Sequence, residues 1–108
     1  MIKAHFLSNN DTFCGFLLKG HADSGEFGYD IVCAAVSVLA INTVNSLEQL
    51  ASVTPQVVSD DDNGGYLKVS LEKNEAKKPA VQLLLKSFKL GIQSIIDNYR
   101  DYITIENE

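Results

Sequence analysis

The stretch GHADSGEFGYDIVCAAVS, Gly20–Ser37, is where the periodicity of the chain changes. Before it, Met1–Leu7 and Phe13–Gly20 are short runs of β-branched, aromatic and aliphatic residues. Ser8-Asn9-Asn10-Asp11 separates them with strong turn chemistry, which predicts a β-hairpin. After it, Ile31, Val32, Ala34, Ala35, Val36, Val38, Leu39 and Ala40 are apolar nearly all round, and Val44, Leu47 and Leu50 continue at helical spacing. This predicts a central helix buried over its first half, capped by Asp30 and ended by Thr54-Pro55.

The remainder repeats the theme. Gln56–Asp60 and Tyr66–Glu72 read as strands around Asp61-Asp62-Asn63-Gly64-Gly65, with Leu67, Val69 and Leu71 alternating against Lys68, Ser70 and Glu72. A second helix starts near Pro79, with Val81, Leu84, Leu85, Phe88, Ile92, Ile95, Ile96 and Tyr99 on one stripe. Tyr102–Glu106 alternates again and closes the chain as a strand. The order ββαββαβ predicts a single α+β domain over residues 1–108, with a mostly antiparallel sheet and two helices.

Charge and composition exclude several classes of function. A net charge of −5 argues against a direct nucleic-acid partner, whose phosphates are met by clustered Lys and Arg, and favours a basic one. The longest apolar run, Ile31–Ile41, falls short of the roughly 20 residues of a membrane span. The first residues, MIKAHFLSNND, lack the apolar centre of a secretory signal, so a cytoplasmic location and no membrane partner are expected. Cys14 and Cys33 are read as free thiols, as a reducing cytosol keeps them. Neither has the spacing of a zinc site, and no metal or other cofactor is expected. The Asp60–Gly64 run lacks calcium-loop spacing and reads as a solvated hairpin tip.

Gly20–Ser37 also carries the candidate chemistry. With Asp30 as the cap, Cys33 falls at about the third helical position, beside unpaired N–H groups and the positive end of the macrodipole, where a thiolate is stabilised. His21 ends the preceding strand, and Gly20, Gly25 and Gly28 let the chain fold back, so a Cys–His pair for nucleophilic acyl transfer is one reading. The backbone N–H groups of Cys33 and Ala34 are candidate oxyanion donors. Asp30 could orient the imidazole as well as cap the helix, and Ser37 lies one turn beyond Cys33 on the same face. The other reading is ordinary: a cysteine among Ala and Val is commonly a small core residue, and a spacing of twelve is not diagnostic. Residue spacing leaves both open.

Gly20-His21-Ala22, Gly28-Tyr29-Asp30 and Val32-Cys33-Ala34-Ala35-Val36-Ser37 together resemble the signature of the ribosomal-processing cysteine proteases, a family of small bacterial proteins. The resemblance extends in outline over the whole chain, although only the loop and helix start are specific. It implies an endopeptidase that removes the N-terminal extension of large-subunit ribosomal protein twenty-seven, cutting next to aromatic residues. It further implies Cys33 as nucleophile, His21 as general base, supporting roles for Asp30 and Ser37, and a homodimer. The segment Ala22, Asp23, Ser24, Gly25, Glu26, Phe27, Gly28 and Tyr29 would be a mobile loop ordered by substrate. A non-catalytic ribosome-assembly or protein-binding module is the alternative from another class.

Overall fold

The computed structural model describes residues 1–20, 27–60 and 62–106. Strands β1 (Ile2–Asn9) and β2 (Thr12–Lys19) form the first hairpin. Asn10 and Asp11 take the left-handed conformation at its tip, which short polar side chains tolerate. Helix α1 (Phe27–Gln49) follows, then β3 (Gln56–Asp60) and β4 (Tyr66–Ser70) around a 3-10 turn at Asp62–Gly64. A short helix α2 (Lys73–Ala76), the long helix α3 (Pro79–Tyr99) and strand β5 (Ile103–Ile105) complete the chain.

The strands form one sheet in the order β3-β4-β2-β1-β5, antiparallel except where β5 runs parallel to β1. This is the α+β architecture expected, with α2 as an addition. The β1–β5 seam is fastened at both ends: Ile2 N–H donates to Tyr102 O at 2.8 Å and Glu106 N–H to Ala4 O at 2.8 Å, with a Lys3–Glu106 ion pair at 3.4 Å.

Cross-strand register places Ala4 opposite Leu18 and Phe6 opposite Phe16, so these share one face of the sheet. That face carries the core. Phe88 of α3 stacks on Phe16 with ring centroids 4.0 Å apart, and Val81, Leu85 and Ile92 lie on the same buried stripe. Tyr99, expected on that stripe, is 39% exposed because the helix has run past the sheet. From α1, Val32, Cys33, Val36, Ala40 and Leu47 join the same cluster at spacings of one, three, four and seven. At Gly15, beside the bulge in the first hairpin, a Cβ would lie 2.0 Å from Val69 O, so only glycine lets β2 approach β4.

One expectation about α1 is corrected. Its first half is not buried all round: Val38 is 68% and Ile41 59% exposed, and Ala34 and Ala35 are exposed too. The sheet and α3 cover one stripe of the helix, and among the described residues none covers Val38 and Ile41 on the other side. By length and composition Asp30–Gln49 is apolar enough to cross a membrane, although its buried stripe belongs to the sheet's own core.

Candidate active site

The site forms where β2 hands the chain toward α1. Gly20 has φ 85°, a left-handed conformation that favours glycine, and its N–H donates to Gly65 O at 3.0 Å. This ties the end of β2 to the β3–β4 turn, where Gly64 and Gly65 also have positive φ. The turn directs the Gly20 carbonyl toward α1, and the Cys33 Sγ donates to it at 3.9 Å. Cys33 is 8% exposed. Its thiol is thus held at the edge of the core against the residue that precedes His21.

Asp30 is exposed and Ser37 half-buried, and with Cys33 they lie three and four residues apart on one flank of α1. A recess of about 450 Å³ begins at Gly20 and is lined by Lys19, Val58, Asp60, Asp62 and Tyr66. Asp60 and Asp62 are exposed at the hairpin tip, as expected; that the tip also borders this recess was not foreseen. The available signal was the Gly64-Gly65 pair, which brings the turn back against β2. Asp62 N–H donates to the Asp60 carboxylate at 2.8 Å, so two acidic groups are presented together beside the candidate site.

Helix geometry changes two expectations. Because α1 begins at Phe27, Asp30 is not its cap but lies inside the first turn, where its carboxylate still meets the positive end of the dipole. Cys33 is then the seventh helical residue, and the N–H groups of Cys33 and Ala34 fall within the span of the i→i−4 ladder. They are not unpaired donors, so the oxyanion assignment made from a start at Asp30 does not hold. Phe27, Gly28 and Tyr29, expected in the loop, are helical. His21, Ala22, Asp23, Ser24, Gly25 and Glu26 lie outside the described residues.

The second thiol is different in kind. Cys14 is half-buried on β2, and burial pushes its pKa up from the ordinary 9.0, with Lys68 drawing it partly back. It has the environment of an inert thiol. Among the described residues no group of three or more His, Cys, Asp or Glu side chains is arranged to hold a metal ion.

The family model for the cysteine protease Prp matches residues 1–104. The chain belongs to that family. A ribosomal processing cysteine protease Prp of Staphylococcus aureus is 36% identical over 90 residues, covering 82% of this chain and 81% of the relative. The crystal structure of SMU.848 from Streptococcus mutans superposes with a TM-score of 0.91 at 42% identity, covering 99% of this chain and 93% of that one. The S. aureus Prp solved with a substrate peptide gives a TM-score of 0.85 at 29% identity, with both chains covered in full. The protein is therefore a Prp-family cysteine peptidase, and its mixed sheet with helices is the family fold.

Proposed function

We propose that this chain removes the N-terminal extension of large-subunit ribosomal protein twenty-seven in the cytoplasm, with Cys33 as nucleophile and His21 as general base. The observation that carries the assignment is the position of the Cys33 thiol, set against the carbonyl of the residue covalently joined to His21. Membership of a cysteine-protease family and the peptide-bound S. aureus relative support it. So do the paired carboxylates beside Gly20, which suit a basic ribosomal-protein substrate.

In the reaction that follows, His21 takes the thiol proton and the Cys33 sulfur attacks the scissile carbonyl carbon. The resulting oxyanion collapses as the imidazolium returns its proton to the leaving amine, giving a thioester. Water, deprotonated by His21, then hydrolyses the thioester and restores the thiol. Asp30, one turn before Cys33, is the positioning residue for the imidazole, and Ser37 supports the thiol from the following turn.

The active form is a homodimer. A groove of about 600 Å³ runs between Ala35, Val38 and Leu39 of α1 and Gly91 and Ile95 of α3, and its lining is mostly apolar. It lies on the flank of α1 away from Cys33 and Ser37, so it is free to take a second copy without blocking substrate.

The test is cleavage of a peptide spanning the extension and the mature start of the ribosomal protein, followed by mass spectrometry. Cys33→Ala should lower kcat by about 10⁴ or more, His21→Ala comparably, and the double variant little further, because nucleophile and base act as a unit. Turnover retained in Cys33→Ala would refute the assignment.

A further inference from the structure

The two outer edges of the sheet are built differently. Strand β5 is three residues long and buried or half-buried throughout. Strand β3 is five residues long and exposed throughout, with Val57 at 47% and Val58 at 56%. Pro55 and Asp60 mark its two ends. Between them no lysine, proline or bulge stops the edge from pairing with a further strand.

The ladder fixes which backbone groups of β3 point outward. Leu71 N–H donates to Cys14 O at 2.8 Å and Gly20 N–H to Gly65 O at 3.0 Å, and both pairs keep the register of Gly15 with Ser70 and Lys19 with Tyr66. Bonded pairs alternate in an antiparallel ladder, so Leu67 and Val69 face β2, whereas Tyr66, Lys68 and Ser70 face β3. Their partners Asp60, Val58 and Gln56 are turned inward. Val57 and Ser59 therefore direct N–H and C=O outward, where among the described residues no strand pairs with them. This edge ends at the candidate site. Lys19, Tyr66 and Asp60 form one row across β2, β4 and β3, and the next residue of β2 is Gly20, whose carbonyl meets the Cys33 thiol. A strand added to β3 would lie three strand spacings from β2, about 14 Å, a distance that about four extended residues span.

We propose that the outer edge of β3 binds the peptide substrate as an added strand, through the segment that begins about five residues after the cleaved bond. Continuity with the Cys33 site selects the substrate as occupant: Val58, Asp60 and Tyr66 line the same recess as Gly20, whereas the groove assigned to a second copy lies between α1 and α3. The polarity follows from the direction of β3, which runs from Gln56 toward the site. Antiparallel pairing, the more stable kind, requires a peptide that runs away from the site, as the residues after the scissile bond do. Charge does not carry the recognition, because Lys19 accompanies Asp60 and Asp62 in the recess and Lys68 lies cross-strand from Val58. The main chain carries it. Val57 and Ser59 together offer two donors and two acceptors, and the exposed Val57 and Val58 side chains offer apolar contact on the two faces of the added strand. The inference rests on the protease reading, for which it assigns the lie of the substrate beyond the reacting atoms.

The experiment is steady-state cleavage, by the full chain, of a short peptide ending about four residues after the scissile bond and a long one extending about ten residues past it. The long peptide should have a KM lower by about tenfold or more at the same kcat, because contacts remote from the reacting atoms bind ground and transition states alike. Methylating single backbone nitrogens of the long peptide, beyond the fourth residue after the bond, should raise KM about two- to tenfold at alternate positions and leave those between unchanged, since only alternate N–H groups face β3. Ser59→Pro removes one outward donor and no ladder bond, so it should raise KM for the long peptide by a similar factor and leave the short one unaffected. If circular dichroism shows that variant to be unfolded, the methylation series on the unmodified chain decides. Equal KM for the two peptides, methylation tolerated at every position, or Ser59→Pro acting equally on both peptides would each overturn the proposal. A fall in mass by light scattering in Ser59→Pro would overturn it too, by assigning the edge to a second copy. Cleavage of both peptides without these differences refutes the β3 edge alone, whereas cleavage of neither by the unmodified chain refutes the protease reading and this inference with it.

Discussion

Gly20→Ala probes the hinge of the site. At φ 85° the new Cβ meets the backbone in the left-handed region, at a cost of about 1–2 kcal/mol if the conformation is kept. For a domain of this size that lowers Tm by about 4–16 °C. If the backbone relaxes to negative φ instead, the Gly20 N–H leaves Gly65 O and the Gly20 carbonyl rotates away from the Cys33 thiol. The chain then leaves β2 in a new direction, and the general base proposed at His21, the next residue, is displaced with it. A misplacement of about 1 Å between reacting groups costs on the order of a hundredfold in rate. Gly20→Ala should therefore lower kcat by about that factor while KM changes little. Gly20→Asn, which tolerates left-handed geometry, should recover most of the loss. The assay is steady-state cleavage of the extended peptide beside a thermal melt of each variant. A Tm drop with kcat untouched would show Gly20 to be a plain turn residue and refute the reasoning.

Three further outcomes are expected. Limiting iodoacetamide at pH 6.5 should modify Cys33 before Cys14; because burial raises the Cys14 pKa, its thiolate and its labelling should keep growing above pH 9, and equal labelling near neutrality would contradict this. Val38→Lys/Ile41→Lys should halve the mass seen by light scattering toward the 11.8 kDa of one chain, and an unmodified protein already at that mass would dispose of the dimer. Phe88→Ala removes a ring that is 1% exposed and stacked on Phe16, so about 3–5 kcal/mol of stability should be lost in urea unfolding; a loss under 1 kcal/mol would mean that the stack is not central to the core.

Several elements could be read directly from local chemistry. Asn10-Asp11 announced the first turn, Pro79 the start of α3, and the alternation from Tyr66 onward marked β4, since each signal depends only on neighbours in the chain. The start of α1 was read four residues late because Gly28 inside a first turn looks like loop. Helix α2, at four residues, is shorter than any window in which period can be judged. The exposed side of α1 escaped because a helix that is apolar all round does not tell which side the sheet will cover. Within the site, Cys33 was legible as a residue type. The Gly20 carbonyl that meets the thiol and the recess beside it were not, since both depend on the β2–β4 pairing, a long-range contact.

The parallel seam between β1 and β5 orders events in synthesis. About a hundred residues separate its partners, and closing a loop of that length costs about 4 kcal/mol plus a constant, repaid only by the pairs Ile2–Ile103, Lys3–Thr104 and Ala4–Ile105 and the bonds around them. Until Ile103–Ile105 has left the ribosome, β1 keeps a bare hydrogen-bonding edge, open to any other extended segment. Sheet completion thus waits on residues translated after α3, and a chain stalled at that point is an aggregation-prone species with its first strand unguarded.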